Sequence, residues 1–461
     1  MDEVIIPPTR RFPSVVGNLL GGSFCLHLAA IVYLPFGERL EAATCFIVGQ
    51  FLAAIGLLRL INGRWVFQDI RMFFALFLVL YGGTLPATVV LGVGGESGGM
   101  ANAAFAYGTA FLGFNIVQWW YRVPWRDVSH GSMARIQPTF ANAVVLLIAF
   151  SLIGAYAIAG GAELGFAFDR RKGGASLGTQ LWVVSMFVMN GFVMYMMLGW
   201  PALTRRARWI MVAAVGVFVL FLLSIGTRRD FLPMFIFLAG VMATRRRTVI
   251  RAGTVAIGFL AFTAMTAIGI VRQIADNPAI LARFSPLEML VTQSEFVSPI
   301  QTLMHYTIVD RPLRWGLTYI SAPSLFLPRA FWPDKPESLS LQFMRDAFAS
   351  VGLMGFAYTP VTEAFLNFGW PGPFFIFGIL SIVLMKLVRN AERFPGIYFI
   401  AFAYTLDFNR GDFGGIFYSL MVVGVAYKLM QIVSRLRWAP TPLREMWPAV
   451  QSTLHTPAPN Y

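Results

Sequence analysis

Runs of mainly apolar residues about 20 long, the length a helix needs to cross a bilayer, recur from one end of the chain to the other. They fall at 15–36, 42–61, 72–93, 101–121, 138–160, 180–200, 210–226, 231–243, 252–271, 367–388, 395–409 and 414–433. This pattern predicts an all-α polytopic membrane bundle of about twelve transmembrane helices. Two runs, 231–243 and 395–409, are short, and short segments meeting at polar turns are expected to be broken or tilted helices lining a cavity. Between Val271 and Pro360 the apolar pattern stops. Arg272, Arg283, Glu288, Glu295, His305, Asp310, Arg311, Arg314 and Arg329 punctuate this stretch, which is expected to form a long, partly helical extracytoplasmic loop. The chain thus divides into an N-terminal transmembrane bundle at 1–271, a substrate-capping loop at 272–360, C-terminal helices at 361–433 and a cytoplasmic tail at 434–461. No internal repeat is visible.

Arginine sets the orientation. Alternate connections carry Arg10-Arg11, Arg64 and Arg71, Arg122, Arg126 and Arg135, Arg205-Arg206, Arg245-Arg246-Arg247, Arg389 and Arg393, and Arg435 and Arg437. The opposite set begins with 37–41, 94–100 and 161–179, which are glycine-rich; Arg170-Arg171-Lys172 is the one dissenting cluster. The positive-inside rule then places both termini in the cytoplasm and the long loop outside, with the chain in the cytoplasmic (inner) membrane. No cleavable leader is expected, because the first apolar run is long enough to span.

Composition agrees. Hydrophobic residues make up 57% of the 461 and charged residues 13%, with a mean hydropathy of +0.66, against about 25% charged in soluble domains. Cys25 and Cys45 both lie in apolar runs, which excludes a disulfide framework or a zinc site. The net charge of +14 admits anionic lipid or an anionic substrate. Nucleic acid is excluded as a partner, since the basic residues are scattered between spans.

If topology draws arginine inward, arginines on the outer boundary need a reason. Arg228 and Arg229 before Asp230, Arg272 where the loop begins, and Arg410 beside Asp412 occupy that boundary. A guanidinium binds phosphate oxygens bidentately, so together these suit a diphosphate; snorkelling to headgroups or pairing with Asp230 or Asp412 is the bland alternative. Glu363, on an expected first helical turn after Pro360, is the first candidate general base; an acid favoured by the helix dipole is the bland reading. His305 is the second, its ordinary pKa being near neutrality. Aromatic residues of the loop, Trp332 among them, suit sugar faces or interfacial anchoring equally. The sequence holds no Asp-x-Asp, helical histidine pair or carboxylate cluster, so no metal site is expected. It holds no Walker or Rossmann glycine pattern, and no cofactor is expected.

Gly226-Thr227-Arg228, Pro328-Arg329, Trp332-Pro333-x-Lys335-Pro336, Thr359-Pro360 with Glu363 and Asn367-Phe368-Gly369, and Arg410-Gly411-Asp412 occur in that order over about 226–433. In these motifs the chain resembles the Wzy-type oligosaccharide repeat-unit polymerases. The resemblance implies a metal-independent glycosyltransferase of GT-C type. Its donor and acceptor would be undecaprenyl-diphosphate-linked glycans, in contact with membrane lipid, and a chain-length regulator and a flippase would be candidate partners. Carried over, Arg228, Arg272 and Arg410 would hold the diphosphate as it leaves, with Arg229, Arg329, Trp332, Lys335 and Asp412 as weaker substrate contacts. A ligase that moves polymer onto another acceptor is the rival in chemistry. A transporter or flippase for lipid-linked sugar is the rival from another class; it would show a repeat between halves and polar residues at mid-membrane, and the sequence shows neither.

Overall fold

The computed structural model describes residues 12–129, 132–133, 136–159, 177–224, 232–246, 297–327, 332, 338–348 and 357–435. Among them there is no strand. The helices are α1 (Phe12–Tyr33), α2 (Arg39–Asn62), α3 (Ile70–Val90), α4 (Met100–Tyr121), α5 (Phe140–Ala159), α6 (Leu177–Leu198), α7 (Arg205–Ser224) and α8 (Leu232–Arg246). They continue with α9 (Ser298–Ile308), α10 (Leu317–Ile320), α11 (Leu339–Phe348), α12 (Pro360–Phe368), α13 (Pro371–Arg389), α14 (Pro395–Ala403), α15 (Thr405–Phe408) and α16 (Phe413–Arg435). Six are long and apolar enough to cross a membrane: Val15–Phe36, α2, α3, α4, α13 and α16; Phe140–Ala155, Val184–Leu198 and Leu232–Arg245 are shorter apolar stretches. The protein is an all-α, membrane-embedded bundle. Of the expected spans, 252–271 lies outside the described residues.

The short run at 395–409 is a broken helix, as its length suggests. α14 has nine residues, about 14 Å or half the hydrocarbon core, and the chain breaks at Tyr404 before the four residues of α15. Tyr398, Phe399, Phe402 and Tyr404 are buried, and the carbonyls around the break find donors, Ile400 from the Tyr404 N–H and Ala401 from the Thr405 hydroxyl, so an irregular backbone is tolerated at membrane depth.

Hydrogen bonds sort the connections into two ends. At one end Asn62 accepts from the Trp125 backbone N–H, Tyr398 donates to the Gln68 carbonyl, Arg245 donates to the Leu198 carbonyl and Tyr195 donates to Ser434. At the other, Thr307 of α9 donates to the Gly99 carbonyl, the 314–316 backbone docks on the end of α12, and the Phe413 N–H reaches Glu363. α9 does more than cover the bundle. Its Ile300 and Leu303 are fully buried in the main core. A smaller apolar cluster of Tyr306, Leu339, Phe343, Tyr358 and Leu366 ties α9, α11 and α12 together.

Mid-membrane polar residues are present after all, which corrects the sequence reading. Asn115 of α4 donates to the Gln50 side-chain oxygen of α2 (2.9 Å), and the Gln50 amide lies 2.8 Å from Nε2 of His27 on α1. His27 Nδ1 lies 2.7 Å from the Ser23 carbonyl, an acceptor only, so Nδ1 carries the proton and Nε2 accepts from Gln50. The chain staples the lipid-exposed α1 to the bundle, because the alternative is an unsatisfied polar group in hydrocarbon.

Close approach of α4 and α13 depends on Gly113. A Cβ there would lie 2.1 Å from the Phe374 carbonyl oxygen and 2.9 Å from its carbon. Both belong to the backbone of α13, which cannot rotate away. Gly113→Ala is therefore expected to destabilise the protein by about 1–3 kcal/mol through overpacking. Gly17→Ala, where a Cβ meets nothing within 4 Å, should not lose stability, because Ala is the better helix former. Thermal unfolding of the two variants in the same detergent checks the contrast.

Candidate functional site

α12 starts where its sequence dictates. Thr359 is extended and its hydroxyl accepts from the Thr362 N–H (3.0 Å), and Pro360 occupies the first helical position, where a missing N–H costs nothing. That start places Glu363 on the first turn, 1% exposed. The helix stops at Gly369, whose φ of +66° suits glycine. Its last carbonyls are met by the returning loop: Arg314 N–H donates to Leu366 and Trp315 N–H to Asn367. Trp315 and Gly316 both have positive φ, +51° and +85°, and this turn aims the Gly316 N–H at the Asn367 side-chain oxygen (2.9 Å).

Two elements converge on the Glu363 carboxylate. Thr318 of α10 donates its hydroxyl to Oε1 (2.6 Å). The Phe413 N–H, first of α16, donates to Oε2 (2.6 Å). Asp412 caps that same helix by accepting from the Gly415 N–H (2.9 Å), and its other oxygen lies 3.4 Å from the Leu339 N–H of α11. The carboxyl is raised to about 7. Burial pushes it up; the Phe413 and Thr318 donors pull it back; Asp412 then pushes up and Arg314 pulls down. Arg314 itself donates to the Gln342 side-chain oxygen of α11 (2.6 Å). The phenols of Tyr319 and Tyr358 have no hydrogen-bond partner among the described residues. Burial pushes both upward; the nearby Glu363 charge adds to it at Tyr319, and Tyr306 followed by Glu363 at Tyr358. A buried carboxyl held near neutrality among hydroxyls and one guanidinium can exchange a proton with a substrate hydroxyl near physiological pH.

His305 is placed differently. Its ring stands edge-on to Phe343 at 5.5 Å, and Nε2 has no partner among the described residues. Burial, then the Arg311 charge, lower its pKa, with Asp346 opposing. Arg311 pairs with Asp346 at 2.6 Å. The two candidate bases thus sit in separate surroundings, one in the polar junction and one against the aromatic cluster.

Of the expected anion-binding arginines only Arg410 is described. It is half-buried at the Glu363 end, two residues before Asp412. Arg228, Arg229, Arg272, Arg329 and Lys335 lie outside the described residues; Trp332 is exposed. The structure adds Arg314, Thr318 and Asn367 to the site, and brings to it Tyr319 and Tyr358 from among the loop's aromatic residues. Arg314 stood among the loop's charges, but nothing in its spacing set it above its neighbours. Asn367 stood in a recognised motif without a role.

Fold and site together define an all-α membrane-embedded protein with one buried polar junction at the loop-bearing end of the bundle. No protein-family model, no curated protein and no solved structure matches this chain.

Proposed function

We propose that the protein is a metal-independent glycosyltransferase that polymerises undecaprenyl-diphosphate-linked oligosaccharide repeat units at the outer face of the cytoplasmic membrane. The observation that carries this reading is the buried carboxyl of Glu363, set near neutrality at the mouth of α13 and α16 and on the same end of the bundle as Arg410. Glu363 takes the proton from a hydroxyl of the acceptor's distal sugar. That oxygen forms a bond to the donor's anomeric carbon, and the carbon–oxygen bond to the diphosphate breaks. The diphosphate leaves with the electron pair, its charge met by Arg410 together with Arg228 and Arg272. The connections at the opposite end carry Arg64, Arg122, Arg126, Arg245, Arg389 and Arg435. This supports a cytoplasmic assignment for that end and an outer one for Glu363.

The test has two arms. Purified protein in liposomes supplied with an undecaprenyl-diphosphate-linked repeat unit should yield a ladder of longer lipid-linked glycans and release undecaprenyl diphosphate. In a Cys25→Ser, Cys45→Ser background, Ser338→Cys should react with a membrane-impermeant thiol reagent in whole cells and Ser434→Cys should not. Unextended repeat units in the first arm, or the reverse labelling in the second, would sink the reading.

A further inference from the structure

Asn367 is fully buried and its orientation is fixed by two backbone groups. One side-chain atom meets the Gly316 N–H at 2.9 Å, which only donates, so that atom is the oxygen. The other lies 2.8 Å from the Glu363 carbonyl, which only accepts, so it is the amide nitrogen. The same nitrogen lies 2.7 Å from the Thr318 hydroxyl oxygen. Asn367 must therefore donate to Thr318. Thr318, already accepting, has its single proton directed to Glu363 Oε1 at 2.6 Å. Polarity runs one way along the chain, from Asn367 to Thr318 to Glu363, and Phe413 supplies the second oxygen with a donor of its own. Both carboxylate oxygens face donors, an arrangement that suits the ion and not the acid.

We propose that Asn367 is a positioning residue for Glu363: its amide, locked by the backbone, turns the Thr318 hydroxyl onto the carboxylate and holds Glu363 as a proton acceptor. This gives the Asn367-Phe368-Gly369 motif a physical task. The wiring opposes burial, which alone would leave Glu363 protonated. Among the described residues, the other charged or titratable groups facing Glu363 are Asp412, Arg314, Tyr319 and Tyr358. None of them orients the Thr318 proton. The catalytic significance of the wiring rests on the proposed transfer reaction; the wiring itself does not.

Infrared titration of the full-length protein in lipid nanodiscs tests the two separately, using the carboxylic C=O band that disappears in Glu363→Gln. In the wild type the band should fade with a midpoint near pH 7. Thr318→Val, close in shape and lacking the hydroxyl, should move the midpoint up by about one pH unit, and Thr318→Ser should restore it. Asn367→Leu should also move it up, yet add nothing in the Thr318→Val background, since it acts through that hydroxyl. A wild-type midpoint in Thr318→Val overturns the proposal, whether or not Asn367→Leu folds; so do fully additive shifts. If the infrared midpoint moves while the acidic limb of polymer formation stays put, the wiring stands and Glu363 is not the base of the reaction.

Discussion

Glu363→Gln should stop chain growth while leaving the protein folded in the membrane. Removing a general base typically costs about 10²–10⁴ in rate, so single lipid-linked repeat units should accumulate and the polymer ladder should vanish. The fold should tolerate the change, because glutamine keeps the shape. Its oxygen can accept from the Phe413 N–H, and its amide can donate to the Thr318 oxygen in place of the bond that Thr318 now donates. The pH profile is the sharper signature. A base must be ionised to accept a proton, so the wild-type rate should rise with pH and level off above a midpoint near 7. Were His305 the base, the midpoint would fall below the ordinary histidine value of about 6.5, because burial and Arg311 lower that imidazole. Rate against pH for the wild type and for Glu363→Gln, measured on the same liposomes, decides between them. Full-length polymer from Glu363→Gln would remove the carboxylate from the mechanism.

Sequence reading was strongest where physics is local. Apolar run length predicted the long helices, Pro360 predicted the start of α12, and the shortness of 395–409 predicted a broken or tilted helix, which the chain realises as a break at Tyr404. Each signal lies within one turn or one span. The site was legible only in its first member. Glu363 was marked by its place after Pro360, but its partners lie far along the chain: Thr318 is 45 residues before it and Phe413 is 50 after it. No period or motif encodes a partner at such a distance; packing chooses it. The same holds for the His27–Gln50–Asn115 chain, whose members sit on three helices within apolar runs. Arg71, counted among the arginines of one set of connections, has a second task that charge counting does not reveal: it is wholly buried and spent inside the fold.

Loss of Arg71 is expected to be the most destabilising single change at the end of the bundle opposite Glu363. Arg71 and Asp69 are both 0% exposed and paired at 2.6 Å. The pair is bidentate, with Nε also donating to the other Asp69 oxygen at 2.9 Å. Both Nη1 donors are used as well, reaching the Gln118 side-chain oxygen (3.0 Å) and the Val123 carbonyl (2.7 Å). Asp69 is equally committed, since it caps α3 at the Arg71 N–H and accepts from Asn62. Gln118 extends the network to Ser381 of α13, and Tyr398 of α14 clasps the same turn by accepting from the Ile70 N–H and donating to Gln68. Arg71→Met would leave a carboxylate in the interior with no cation, a loss of about 3–5 kcal/mol. Asp69→Asn should cost a similar amount by stranding the guanidinium, although asparagine keeps the helix cap. The double variant should be markedly less destabilised than the sum of the two, because it leaves no unpaired charge. Unfolding of the four proteins in mixed micelles closes this cycle. A loss in Arg71→Met below about 1 kcal/mol, the range of exposed pairs, would mean that water reaches the turn and that the ion pair does not hold α3, α4, α13 and α14 together.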